Sequence, residues 1–341
     1  MKRAVIIALL LFSCLTHARQ EAGVRFGVLG LFHARQIVIS PVAGRTLVCS
    51  TADGVRLSGP LHLQLARTKM RISEAEEISA GFLACDDGAG AATEFAVAIA
   101  GRIARRYLGR LEITPQAREL GVVVTMDLET AVASIVAAES PPHAPMEALK
   151  AQAVATRSFL VAGKGRHNGF DFCDTTHCQF LREPPGPDTP AFQAAAATRG
   201  LVLAYKDEVF AALYSASCGG RTHSLEELGI PVRGYPYFAV TCNYCLRHPE
   251  KWVSRITSVD AADLAPTEQS RLKLARKLGW KTVPGNAYAA HAENGMVVLE
   301  GVGVGHGIGL CQRGGVDMAR QGASFLEILA YYYPNTVVKQ Y

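Results

Sequence analysis

The sequence predicts an α+β fold: a strand-rich first part packed with a mixed helix and strand second part. Three observations carry this. From residue 24 to 126, short runs rich in β-formers alternate with Gly and Pro. At residue 127 the pattern changes to helix signals. From about residue 200, short strand and helix patterns mix. With 49% hydrophobic and 19% charged residues, the 341-residue chain can bury a sizeable core. At ~100–200 residues per domain it makes one large domain or two moderate ones.

The first residues read as an address. Lys2 and Arg3 precede an apolar run over 4–12 and then Thr16-His17-Ala18. A charged start, a short greasy stretch and a small-residue site make a signal peptide over 1–18. The run is shorter than the ~20 apolar residues that a membrane-spanning helix needs; a short retained anchor is the alternative. Cys14 raises a lipoprotein reading, which Phe12 two positions earlier fits poorly. The expected location is therefore exported and extracytoplasmic. The formal net charge is +5, and +3 without Lys2 and Arg3. That is too mild and too dispersed for nucleic acid, and it suits a weakly anionic partner such as cell-wall polymer.

Strands are expected at 24–31, 36–39, 45–49, 61–65, 95–100, 111–113 and 122–126. Asp127-Leu128-Glu129 opens a helix reaching Glu139, and Ser140-Pro141-Pro142 stops it. Pro145 sits at the first turn of a second helix, running to about Ala162. Its stripe of Leu149, Ala153, Thr156 and Leu160 implies close packing. Strands follow at 201–205 and 209–214, and a helix at 272–278. A glycine-dense turn spans 301–309, ahead of helices near 314–322 and 325–332.

Four constellations could carry chemistry. On the first helix Leu128, Val132, Ile135 and Glu139 share one face, so Glu139 extends an apolar stripe. It also lies at the negative end of the helix dipole. Burial and that dipole both raise a carboxyl pKa, as a general acid requires; the alternative is a frayed end whose glutamate turns to solvent. Glu147 is the rival, in the first turn of the next helix, where the dipole favours the ionised form. The second constellation is His167, Cys173, His177 and Cys178. Four N/S ligands within twelve residues suit a fully coordinated structural zinc, against a Cys173–Cys178 disulfide. The third is Cys242-x-x-Cys245 with His248, read as disulfides, with Cys245 to Cys218 one pairing. The chain holds nine cysteines, and loss of Cys14 leaves an even eight. The fourth is the glycine-rich 301–309 turn, where His306 either contacts a polar substrate or packs in a bulged strand.

The same residues resemble the SpoIID/LytB family. The resemblance rests on Glu139 followed by Met146-Glu-Ala-Leu-Lys-Ala-Gln-Ala-Val-Ala-Thr-Arg157, and on Cys173-Asp-Thr-Thr-His-Cys-Gln179. Ser215-Ala-Ser-Cys-Gly-Gly-Arg-Thr222, Gly305-His-Gly-Ile-Gly-Leu-Cys-Gln312 and Tyr331-Tyr-Tyr-Pro334 continue it in the family's order. It spans roughly residues 110–341, which divides the chain into a leader at 1–18, a strand-rich region at 22–110 and a SpoIID-like catalytic region at 111–341. It implies a peptidoglycan lytic transglycosylase that cleaves between N-acetylmuramic acid and N-acetylglucosamine to give a 1,6-anhydro product. One glutamate would serve as acid and then base, unlike the paired carboxylates of most glycosidases. That role carries onto Glu139, with Glu147 second, and the zinc ligands onto His167, Cys173, His177 and Cys178. Arg157, Ser217, Gly219, Gly220, His306 and Gln312 stand in the motifs as expected substrate contacts. The family's LytB branch implies the alternative, a non-catalytic wall-binding enhancer of a cell-wall amidase. The chain departs from the family at Ser140, Ala216, Cys218 and Cys311, where Met, Ser, Ser and Ser are more usual.

Overall fold

The computed structural model describes residues 23–73, 77–265 and 267–341. The leader expected at 1–18, Cys14 included, lies outside them. Among the described residues, no helix is long and apolar enough to cross a membrane.

The α+β class holds. Among the described residues, one curled sheet of twelve strands takes eleven from residues 24–126 and the twelfth from Phe172–Cys173. Its strands alternate buried and half-exposed positions, as at Thr93–Ile99 and Leu120–Met126, so one face meets the core. The strand Ile103–Pro115 holds the sheet together. Its first half pairs with Thr93–Ile99 and its second half with Leu120–Met126 and Leu83–Asp86. Gly109 stands where the partners change, because a Cβ there would run into the Thr125 carbonyl. This strand passes through residue 110, so the boundary expected there falls inside one sheet, and the buried cluster beneath it draws on residues from both sides of that boundary. Val24–Gly27 pairs with Leu120–Met126 on one side and, in parallel, with Phe172–Cys173 on the other. The strand expected over 24–31 ends at Gly27, because Leu29 turns to φ 60° and Gly30–Phe32 forms a 3₁₀ turn. Cys49 and Cys85 face each other across Val48–Thr51 and Leu83–Asp86 and are joined by a disulfide.

Helix α1 spans Leu128–Glu139 and helix α2 Met146–Ala162. The Asp127 side chain caps α1, accepting from the Glu129 and Thr130 amides at 3.0 Å. Ser140 is extended, at ψ 144°, as a residue before proline must be, so α1 stops at Glu139. The stripe expected on α2 understates its burial. Ala148, Leu149 and every residue from Ala151 to Leu160 are buried. The helix is enclosed by α1, by α3 (Pro190–Ala197), by the strand Leu201–Tyr205 and by two later helices.

After the short helix α4 (Asn243–Arg247), the chain makes an excursion of which only the helix at 272–278 was among the expected elements. Lys251–Thr257, Met296–Val302 and Ala287–Glu293 form a three-stranded sheet. Helices α5 (Ser258–Ala261) and α6 (Glu268–Leu278) cover it. Among the described residues, its core cluster joins the buried Ile256, Leu274, Val283 and Leu299. The chain then passes through the glycine turn into α7 (Gln312–Arg320) and α8 (Phe325–Tyr332). The strand expected at 209–214 survives only as Glu208–Val209 and Tyr214–Ser215. The latter pairs in parallel with Leu310–Cys311.

Candidate functional site: a cleft around Glu139

A cleft of about 590 Å³ opens where these parts meet. Leu29, Leu31 and Phe32 from the 3₁₀ turn form one wall with Asp174–Phe180. The end of α1 and the paired ends at Ser215 and Gln312 form the floor. Arg271, Trp280 and Pro284 from the excursion, with Val304–His306 from the glycine turn, form the opposite wall.

Glu139 lines this cleft. Along its helix face, Val132 and Ile135 are fully buried and Leu128 packs against the same core, so the spacing aims the carboxyl inward as the sequence implied. The Phe180 amide donates to its Oε1, and the Tyr214 hydroxyl sits beside it while donating to Gln179 Oε1 at 2.7 Å. Desolvation outweighs these hydrogen bonds and pushes the carboxyl from its usual 4.5 up to about 7. At neutral pH the group is therefore poised between donor and acceptor of a proton.

His306 and Gln312 lie in the same cleft. Burial pushes the His306 imidazole down to about 4, against the pull of Glu268, so it is neutral at physiological pH. Its Nδ1 accepts from the Ile308 amide at 3.0 Å, which leaves Nε2 as the donor. Gln312 donates to the Glu139 carbonyl at 2.9 Å and faces Gln152 Oε1 at 3.3 Å. It thereby ties α7 to the end of α1.

Several expected site residues do other work. Glu147 is outside the cleft. Its carboxylate binds Lys150 at 2.7 Å and accepts from the Phe325 amide at 2.8 Å, and these contacts hold its pKa below the usual range. Arg157 is not a substrate contact. It is fully buried and bidentate to Glu129 at 2.8 and 2.6 Å, with further bonds to the Leu201 and Ala195 carbonyls. Ser217 is buried, 3.6 Å from Cys245 Sγ, and its backbone bridges to Val304. Gly219 and Gly220 take φ 76° and 121°. At Gly219 a Cβ would press on Val302 at 2.9 Å, where two backbones cross, and at Gly220 on the Leu246 side chain at 2.8 Å, so both glycines answer to close packing of the chain itself.

The first His/Cys cluster assembles. His167 Nε2 lies 3.1 Å from Cys178 Sγ, and His177 Nδ1 lies 3.7 Å from Cys173 Sγ and 3.6 Å from Cys178 Sγ. All four donor atoms fall within 4.8 Å of one another, a set that fits one tetrahedral ion. The hydrogen bond between the two thiols lowers the pKa of Cys173, towards the thiolate that binds metal. No disulfide joins them.

Sequence reasoning missed three features. Asp174 and Arg105, both in the cleft lining, form a nearly buried ion pair at 2.7 Å, and Asp174 also accepts from the Leu29 amide at 3.0 Å. This locks the cluster segment onto the sheet. Gln179 stood inside a quoted motif and Tyr214 at the end of an expected strand, both without roles. Of the excursion wall, only the helix over 272–278 carried a local signal, and nothing placed it at the cleft.

Comparison with known proteins agrees with this picture. Residues 116–205 match the SpoIID family, described as Stage II sporulation protein. The chain is 28% identical to an uncharacterised protein of Brachyspira hyodysenteriae, over 69% of this chain and 73% of that one. It is 26% identical to a Stage II sporulation protein D of Bacillus amyloliquefaciens, over 64% of this chain and 76% of that one. It is 24% identical to an Amidase enhancer of Bacillus subtilis, over 60% of this chain and 39% of the other.

Proposed function

The chain belongs to the SpoIID/LytB family, and on that premise we propose that it is an exported peptidoglycan lytic transglycosylase with Glu139 as its single acid/base. The observation that carries the reading is the Glu139 carboxyl, raised to about 7 in the lining of a cleft of about 590 Å³. The other carboxylate lining that cleft, Asp174, is committed to Arg105 and the Leu29 amide. One free carboxyl suits a reaction that uses the same group twice.

In this reaction protonated Glu139 gives its proton to the glycosidic oxygen as the bond from C1 of N-acetylmuramic acid breaks. The C6 hydroxyl of the same sugar attacks C1, and its proton passes to the Glu139 carboxylate. The product is the 1,6-anhydro sugar, no water is consumed, and Glu139 returns protonated. The Phe180 amide holds Oε1 in place through both steps. Neutral His306, whose ring lines the cleft, would offer its Nε2 proton to a sugar hydroxyl in exchange for its backbone partner at Tyr214. A zinc ion held by His167, Cys173, His177 and Cys178 would supply structure rather than chemistry, because four protein ligands leave no open position. Those residues anchor the segment that brings Gln179 and Phe180 to Glu139.

The likeness to an Amidase enhancer favours a second reading, in which the cleft binds wall polymer and the protein stimulates an amidase without cutting glycan. Denuded glycan strands separate the two. The enzyme reading expects shorter strands with anhydro ends, lost in Glu139→Gln while the fold persists. Full activity in that variant, or wall binding and amidase stimulation with no cleavage, would overturn it.

A further inference from the structure

We propose that Cys218, Cys242, Cys245 and Cys311 form a second metal site, a tetrathiolate that holds one zinc-type ion and clasps the base of the excursion. This inference is independent of the reaction proposed above.

The four residues come from distant points of the chain, yet their sulfur atoms all lie within 4.8 Å of one another. Cys245 and Cys311 are 3.6 Å apart. A tetrahedral ion with metal–sulfur bonds of about 2.3 Å sets its ligands about 3.8 Å apart. Two disulfides need only pairwise contact and give no reason for all four sulfurs to converge. All four side chains are buried, none more than 3% exposed, and none is paired. So close a set leaves room for one ion and none for the iron and sulfide atoms of a cluster.

The surroundings suit thiolates rather than thiols. The Gly314 amide donates to Cys311 Sγ at 3.5 Å. The Tyr332 hydroxyl lies 3.3 Å from Cys242 Sγ, and the Ser217 hydroxyl 3.6 Å from Cys245 Sγ. Three donors thus surround a centre that would carry net negative charge, the arrangement by which outer hydrogen bonds orient and neutralise metal ligands. Gly314 also has a steric reason to be glycine, since a Cβ would come 2.6 Å from Cys242 Sγ.

The position gives the site a purpose. Cys242 and Cys245 stand where the chain leaves for the excursion, and Cys311 stands just after it returns. A piece with so small a core cluster gains most from a metal staple at its root. Cys311 also caps α7 and precedes Gln312, which holds the Glu139 carbonyl. An ion bound there fixes the cleft floor and the base of its far wall together.

The test is metal analysis and X-ray absorption on the mature chain purified with reductant. With both clusters loaded, we expect two ions per chain and an average of three sulfurs and one nitrogen per metal. His167→Ala with His177→Ala leaves one ion with all-sulfur coordination. Cys242→Ser with Cys245→Ser leaves one ion with mixed sulfur and nitrogen. An all-sulfur site filled by iron, read from its visible absorption, keeps the tetrathiolate and changes only the metal. A single ion with mixed ligands in the unaltered chain overturns the proposal, as do disulfides among these four cysteines in peptide mapping of the chain purified without reductant. The spectrum of the unaltered protein decides even where a variant fails to fold.

Discussion

Glu139→Gln tests the physical state of the proposed acid without any substrate. Burial lifts the carboxyl from 4.5 to about 7, so the folded protein holds a proton that the unfolded chain has released. The sign follows. The stabilisation from that proton is full below pH 4.5 and is lost as pH rises through about 7. At about 1.4 kcal/mol per tenfold in the ionisation constant, ionising Glu139 costs the folded state about 3 kcal/mol by pH 8. Glutamine keeps an oxygen for the Phe180 amide and cannot ionise. Urea unfolding of both proteins at pH 4 and pH 8 gives the difference between them at each pH, which removes constant effects of the substitution. We expect that difference to move by about 3 kcal/mol in favour of the variant between the two pH values. A difference that stays constant would refute the claim that the carboxyl is desolvated, and with it the reason for assigning Glu139 as the acid.

Two further outcomes follow from the reassigned residues. Arg157→Ala leaves the half-buried Glu129 without its ion-pair partner and opens a gap in the core, so it should cost about 3 kcal/mol by urea unfolding, with any loss of activity tracking the unfolded fraction; a stable but inactive variant would return Arg157 to the substrate site. Glu147→Gln should leave glycan cleavage intact and change stability by no more than about 1 kcal/mol, whereas loss of cleavage in the folded variant would restore Glu147 as the acid.

The parts of the site set by neighbours along the chain were legible in the sequence. Asp127, the apolar spacing to Glu139 and the proline pair fix both ends of α1, and His167 to Cys178 fold back within one short segment. What needed distant partners was not legible. Arg157 looked like a ligand contact because its partner Glu129 lies on the preceding helix. The Cys242-x-x-Cys245 pair suggested bridges because Cys218 and Cys311 join it only through the tertiary fold. The excursion sheet escaped because half its strand positions are exposed, which erases the apolar alternation that marks a strand. The glycines of the 215–222 motif resembled a binding loop, and only the backbone crossing at Val302 shows their use.

Helix α2 carries a lesson about what makes a position replaceable. Its run of alanines is the blandest stretch of the chain, and by side-chain chemistry it says almost nothing. Yet Ala151, Ala153 and Ala155 are wholly enclosed, with other elements on every side. An added methylene there has no solvent to turn towards and no gap to fill, and overpacking of such a position typically costs about 1–3 kcal/mol. The tolerance of this protein to change is thus set by clearance rather than reactivity. Its least adjustable residues are those that do nothing except stay small.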